Sequence, residues 1–174
     1  MNSPSANLSV WVGRKMVCVK IAGRANFTSS VDFKTLIYRL RERGYARFVL
    51  DVSDCVLMDS TFLGVLAGIG LNFDHARNGM HEPFVELLNP TPKICDLLDN
   101  LGILPYFKTI HSTKPIKESF DPLKSSDTTR LALTRECLQA HQTLMDINPA
   151  NVQRFKDVTR FLAEDLKKQE GQSG

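Results

Sequence analysis

Between Arg47 and Ala76 the chain gathers the residue types that do chemistry: Asp51, Ser53 and Asp54, then Asp59, Ser60 and Thr61. Asp51 closes the apolar run Phe48-Val49-Leu50, where a phosphoryl-accepting carboxylate could sit. An Asp-x-Asp pair would need an acid at 53, however, and that residue is Ser53. The segment Trp11 to Lys15 also lacks the acidic pair that such a site needs. Ser60 lies where a strand gives way to a helix, as a hydrolase nucleophile does, but not in G-x-S-x-G, and no histidine is tied to it by spacing. Glycine-rich phosphate loops are absent, and His75 and His81 have no metal-ligand spacing. The sequence therefore predicts no enzyme, no cofactor and no metal site. What remains is a serine at a helix start, beside an aspartate, able to act as an N-cap or to carry a phosphate.

The elements that position this serine can be read outward from it. Phe48 to Val52 is a short, nearly unbroken apolar run, as expected of a strand buried on both faces. A second apolar stretch, Cys55 to Met58, leads to Asp59-Ser60-Thr61 and a helix. Phe62, Leu66, Ile69 and Phe73, flanked by Leu63 and Val65, give that helix a broad apolar stripe for the sheet. Its other face carries Ser60, Gly64, Ala67, Gly68, Leu71 and His75. Glycine costs about 1 kcal/mol relative to alanine inside a helix, so this lane needs a close neighbour. The neighbour is either another helix of the same chain or the surface of a partner.

Upstream, Met1 to Asn7 reads as a polar tail, Leu8 to Val12 and Met16 to Ala22 as a hairpin turning at Gly13-Arg14-Lys15, and Gly23 to Phe27 as a loop. Ser29-x-x-Asp32 has the form of a capping box for a first helix, with Phe33, Leu36, Ile37 and Leu40 at helical spacing and Gly44 at its end. Downstream, Asn78-Gly79 ends the second helix, Phe84 to Leu88 is a strand, Thr91-Pro92 starts a third helix stopped by Gly102, and Tyr106 to Ile110 is an edge strand. Strands alternating with helices imply a mainly parallel, mixed sheet of about five strands with helices largely on one face.

From 113 to 129 the composition turns to Ser, Thr, Lys, Asp and Pro, a linker or a surface-hugging strap. Residues 130–169 regain helical periodicity through Leu133, Cys137, Ala140 and Leu144, then Phe155, Val158, Leu162 and Leu166, with Asn148-Pro149 between. This helical hairpin must bury its stripes on the parent domain, on a second copy or on a partner. Residues 170–174 read as a disordered tail.

Composition agrees with a globular chain: 174 residues, 43% of them hydrophobic, and a net charge of +3. No apolar run approaches the ~18 residues of a membrane span, and the N-terminus lacks signal-peptide features, so the expected location is cytoplasmic without membrane insertion. Cys18, Cys55, Cys95 and Cys137 form no C-x-x-C pair and read as reduced thiols. The one dense basic patch is Arg39, Arg41, Arg43 and Arg47. Its first three members suit a helix C-terminus, which removes the need for a nucleic-acid partner.

The stretch FVLDVSDCVLMDSTFLGVL resembles the signature of the STAS domain family: a hydrophobic strand ending in Asp, then Asp-Ser opening a helix with leucines at Leu63 and Leu66. Gly23 and the helix from Pro92 to Leu101 also fall where that family has them, so the resemblance covers residues 8 to 112. It implies an α/β STAS-like fold, to which the C-terminal hairpin is an addition. It further implies an anti-sigma-factor antagonist that binds an anti-sigma factor with a nucleotide-binding serine-kinase domain and is switched off by phosphorylation at Ser60. The partner-binding residues would be Gly23, Arg24, Asn26, Asp59, Thr61, Gly64, Ala67 and Gly68. Two residues depart from the pattern: Phe62 where the family commonly has Gly, and Asn26 where it has Asp. The alternative is a constitutive STAS scaffold subunit of a signalling or transporter-associated assembly, with no phosphoregulation. Homodimerisation through the hairpin is compatible with either.

Overall fold

The computed structural model describes residues 5–75 and 85–172. Two strands open the chain, β1 (Asn7–Val12) and β2 (Met16–Ala25), followed by α1 (Phe27–Glu42), β3 (Arg47–Asp51), β4 (Cys55–Met58) and α2 (Ser60–His75). After the undescribed connection come β5 (Val85–Leu88), α3 (Pro92–Asn100), a 3-10 turn (Leu104–Tyr106), β6 (Lys108–Ile110) and β7 (Asp121–Pro122). Two long helices finish it, α4 (Arg130–Ile147) and α5 (Ala150–Gln172). The expected end of the second helix at Asn78-Gly79 and the strand residue Phe84 lie outside the described residues.

The main sheet runs β6-β5-β3-β2-β1-β7, and β4 pairs with the far end of β2. β2, β3, β5 and β6 are parallel, while β1 is antiparallel to both β2 and β7. The alternation of elements predicts this mixed, mainly parallel sheet and the family resemblance its STAS-like form, but the described residues give seven strands where about five are expected, because β4 adds at the end of β2 and β7 adds from the strap. β3 is central because both its faces are apolar: Phe48, Val49 and Leu50 are buried, as is Val52 just past its end. Asp51 at its end is also buried, and its Oδ1 accepts from the Ser53 backbone N–H at 3.1 Å and the Ser53 hydroxyl at 2.6 Å. A buried carboxylate is tolerable when it is satisfied in this way.

The start of α1 differs from the expected one. Its N-cap is Asn26, whose side chain accepts from the Ser29 N–H while the Ser29 hydroxyl takes the Asn26 N–H, so the capping box is Asn26–Ser29 and not Ser29–Asp32. Gly23 to Phe27 is accordingly not a loop. Gly23, with φ of +86°, sits at a register shift where β2 leaves its pairing with β3 and takes up β4, and Phe27 is the first helical residue. Asn7, assigned to the tail, opens β1, and Ser5 bridges Arg24. The strap from 113 to 129 is fastened to the domain: β7 extends the sheet at β1, Leu123 donates to the Leu8 carbonyl at 2.8 Å, and the Ser126 hydroxyl bonds Asp32.

α1 and α2 pack side by side, and α4 lies against both. Phe62 of α2 stacks on Phe33 of α1 with ring centroids 5.0 Å apart, and Phe73 meets Phe48 of β3 edge-on at 5.3 Å. The hairpin chooses the parent domain: Ala140 and Leu144 of α4 belong to the same buried cluster as Phe62, Leu63 and Leu66. Its turn is pinned by Asn151, fully buried, which donates to the Leu101 and Leu144 carbonyls at 3.0 and 2.8 Å. α5 covers α4 with one face and leaves Val152, Val158 and Phe161 open on another, and it runs to Gln172, beyond the expected end.

Candidate functional site: the start of α2

The strand-to-helix junction before α2 is organised by one carboxylate. The Asp59 N–H donates to the Ala25 carbonyl at 2.9 Å, which fixes the end of β4 beside β2. Its Oδ1 accepts from the Phe62 N–H at 2.8 Å, capping α2, and its Oδ2 accepts from the Phe27 N–H at 2.8 Å, satisfying the first amide of α1. Two helix N-termini thus share one acid, an arrangement favoured by both their orphan donors and their dipoles.

Ser60 follows as the first residue of α2, and its Oγ lies 2.8 Å from His141 Nε2 of α4. The other ring nitrogen, Nδ1, lies 2.6 Å from the Cys137 carbonyl oxygen. A carbonyl can only accept, so Nδ1 carries the hydrogen, and in the neutral ring Nε2 is left to accept the Ser60 hydroxyl proton. The imidazole is buried, with its edge on Phe155 at 5.2 Å between centroids. Beside it the buried Thr61 hydroxyl donates to the Cys137 sulfur at 3.5 Å. Burial pushes the Cys137 thiol up, the Thr61 bond opposes this, and the fields of Asp59 and Glu136 push it further up. Lys34 of α1 binds the Glu136 carboxylate at 3.0 Å and Gln139 at 3.1 Å.

No histidine spacing pointed to Ser60 in the sequence, and here the structure corrects the reading: His141, 81 positions away, completes a serine–imidazole pair. A faint signal existed, because His141 lies four residues after Cys137 and three before Leu144 on the α4 stripe. The pair has a backbone carbonyl where a nucleophilic triad has an acid, so its imidazole is held in orientation without an ionic partner.

The eight expected contact residues separate into two groups. Gly23, Arg24, Asn26 and Asp59 gather at the junction of β2, α1 and α2, with Arg24 exposed. Thr61, Gly64 and Ala67 are buried, and α4 covers Gly64 so closely that an added Cβ would stand 2.4 Å from the Ala140 carbonyl oxygen. At Gly68 the two helices part, and a groove of about 390 Å³ opens between Lys34, Tyr38, Gly68, Asn72, Glu136 and Thr143. Phe62, the departure from the family pattern, is fully buried, and Asn26, the other, is a helix cap. Among the described residues no group of three or more His, Cys, Asp and Glu side chains is placed to hold a metal, and no helix is long and apolar enough to cross a membrane.

The arrangement of sheet and helices defines a STAS-like fold. A crystal structure of a candidate anti-sigma factor antagonist from Thermotoga maritima matches with a TM-score of 0.51 at 20% identity, over 61% of this chain and 86% of that one. An NMR structure of the same protein gives 0.51 at 20% identity, over 59% and 79%. The anti-sigma factor antagonist SpoIIAA in its unphosphorylated form matches over 62% of this chain and 90% of that one, at 19% identity and a TM-score of 0.48. No protein-family model and no curated protein matches the sequence.

Proposed function

We propose that the chain is a cytoplasmic, non-catalytic regulatory module that works as an anti-sigma factor antagonist does, binding an anti-sigma factor with a nucleotide-binding serine-kinase domain and losing that partner when Ser60 is phosphorylated. One observation carries the reading: Ser60 stands at the first position of α2, directly after the capping Asp59. A phosphate there brings about −1.5 to −2 charges and three acceptor oxygens to a helix N-terminus, where N–H groups and the dipole favour it. The same charge repels a partner that offers a carboxylate. Two unit charges 4 Å apart interact by about 1 kcal/mol in water and about 4 kcal/mol at a partly desolvated site, which weakens binding by up to about a thousandfold. Arg24 and the exposed side chains of Phe27 and Val56, beside this junction in sequence, supply the rim of the dock.

A second reading is favoured by the burial of Gly64 and Ala67. A constitutive scaffold subunit needs no access to that face and would make its contact, with another subunit or a second copy, through the open side of α5 at Val158 and Phe161.

The two separate in one experiment. Wild type and Ser60→Asp serve as baits in parallel, and wild type incubated with lysate and ATP is mapped for phosphoserine by mass spectrometry. The antagonist reading expects phosphate on Ser60 and a kinase-domain partner held by wild type alone. Identical partners on both baits, with Ser60 unmodified, overturn it.

A further inference from the structure

The small-residue face of α2 already has an occupant, and it belongs to the same chain. Ser60 meets His141 at 2.8 Å, and one turn further on Gly64 lies against the Ala140 backbone. Contact with backbone cannot be relieved by turning a side chain, so α4 rests on α2 here without slack. Lys34 holds the outer side of the same helix through Glu136.

The geometry points to the α4–α5 hairpin as the built-in partner of this face, released when Ser60 carries a phosphate; this rests on Ser60 being the phosphoacceptor. In the transfer, the γ-phosphoryl group of a nucleoside triphosphate forms a P–O bond to Ser60 Oγ and its bond to the β-phosphate oxygen breaks. The nucleoside diphosphate leaves, and the hydroxyl proton passes to the base of the kinase. That proton is the one donated to His141. Once it is gone, Nε2 of the neutral ring, whose hydrogen sits on Nδ1 against the Cys137 carbonyl, meets phosphate oxygens that are acceptors too. Asp59 adjoins the phosphate in sequence, and Lys34 of α1 is already engaged by Glu136. The close seam at Gly64 leaves α4 no room to rise by the width of a phosphate and stay seated.

The modification therefore has two outputs. The phosphate bars the start of α2 to the external partner, and it also uncovers the inner face of α4 around Cys137, Ala140 and His141. In the unmodified chain any partner for Gly64 and Gly68 competes with α4, which the strap at β7 keeps close at hand.

The test uses the full chain with phosphoserine installed genetically at position 60, compared with unmodified chain by hydrogen exchange and mass spectrometry. Release predicts that α4 and α5 amides exchange roughly 10- to 100-fold faster, the equivalent of a lost hydrogen bond and a stranded buried acceptor, while β2 and β3 keep their rates. Gly64→Ala, which forces the same seam apart without charge, should reproduce the pattern, and Ser60→Ala, which loses the same bond and strands the same Nε2 without added bulk or charge, should give a rise no greater than that of the phosphoserine chain. Unchanged or slower exchange in α4 and α5 of the phosphoserine chain overturns the inference; a protonated His141 clamping the phosphate would give that result. Equal acceleration in β2 and β3 overturns it as well, because the whole domain would then be unfolding. Installing the phosphate chemically separates this inference from the functional proposal: release without any kinase for Ser60 defeats only the proposal, and a kinase acting on Ser60 without release defeats only the inference.

Discussion

Gly64 of α2 faces the Ala140 carbonyl of α4 with no space for a methyl group, whereas Gly68, one turn on, has only the Thr143 methyl in ordinary contact at 3.8 Å. The two glycines should therefore answer differently to the same change. Gly64→Ala gains about 1 kcal/mol of helix propensity but overpacks a backbone contact, at a cost of about 1–3 kcal/mol, so its net effect is destabilising. Gly68→Ala keeps the propensity gain and should be neutral or up to about 1 kcal/mol more stable. Urea unfolding followed by helical circular dichroism checks this; equal shifts for the two variants would show that α4 does not sit on α2 as described.

The difference between these glycines was not legible in the sequence, where both belong to one small-residue lane, because it depends on the angle at which α4 crosses, bringing Ala140 to Gly64 and Thr143 to Gly68. Features set by adjacent residues were legible. Thr91 caps α3 ahead of Pro92, Asn148-Pro149 separates α4 from α5, and the apolar run at Phe48 is the central strand. The start of α1 is not legible locally because Phe27 is anchored by Asp59, 32 positions away, and Gly23 to Ala25 reads as a loop because its ladder partner, β4, lies beyond the next helix. The site divides in the same way. Asp59-Ser60 at a helix start could be read locally, while His141 reaches it only through the packing of the hairpin.

Phe62 stands where the family resemblance implies glycine, and it is fully buried in a stack with Phe33 between α1 and α2. It is a core residue of this chain and not a contact for partners. Phe62→Ala should cost about 3–5 kcal/mol, the usual range for emptying such a site, with Phe33→Ala of similar size and the double variant costing less than the sum. Chemical denaturation measures all three. A loss below about 1 kcal/mol for Phe62→Ala would place the ring outside the core.

Cys18 lies in the sheet, and burial, helped by the field of Asp51, pushes its thiol up to about 12 from an ordinary value of 9.0. A raised pKa in the folded state means that folding favours the protonated thiol. That stability is complete below pH 9 and drains away as the pH climbs from about 9 toward 12. The exposed Lys20–Asp54 pair, which raises the Lys20 pKa, adds a smaller loss of the same sign. Melting temperatures across this range should fall for wild type and fall less steeply for Cys18→Ala. Equal slopes would mean that the thiol does not titrate with unfolding.

Asp59 and Ser60 are neighbours in sequence but serve different partners, and substitution should separate them. Asp59→Ala removes the cap of α2 and the acceptor for the first amide of α1, so it should lower the stability of the domain by about 1–2 kcal/mol. Ser60→Ala leaves both caps in place and strands the buried Nε2 of His141, at a cost of about 1–3 kcal/mol. His141→Ala removes the same bond from the other side, together with the ring packed on Phe155. Because one hydrogen bond is counted in both single variants, Ser60→Ala with His141→Ala should cost about 0.5–1.5 kcal/mol less than the sum, whereas Asp59→Ala with Gly68→Ala, which share no partner, should add. A complete thermodynamic cycle by urea unfolding decides the point. Strict additivity between Ser60 and His141 would remove the bond that joins the candidate phosphoacceptor to the hairpin, and with it the reason for α4 to respond when that serine is modified.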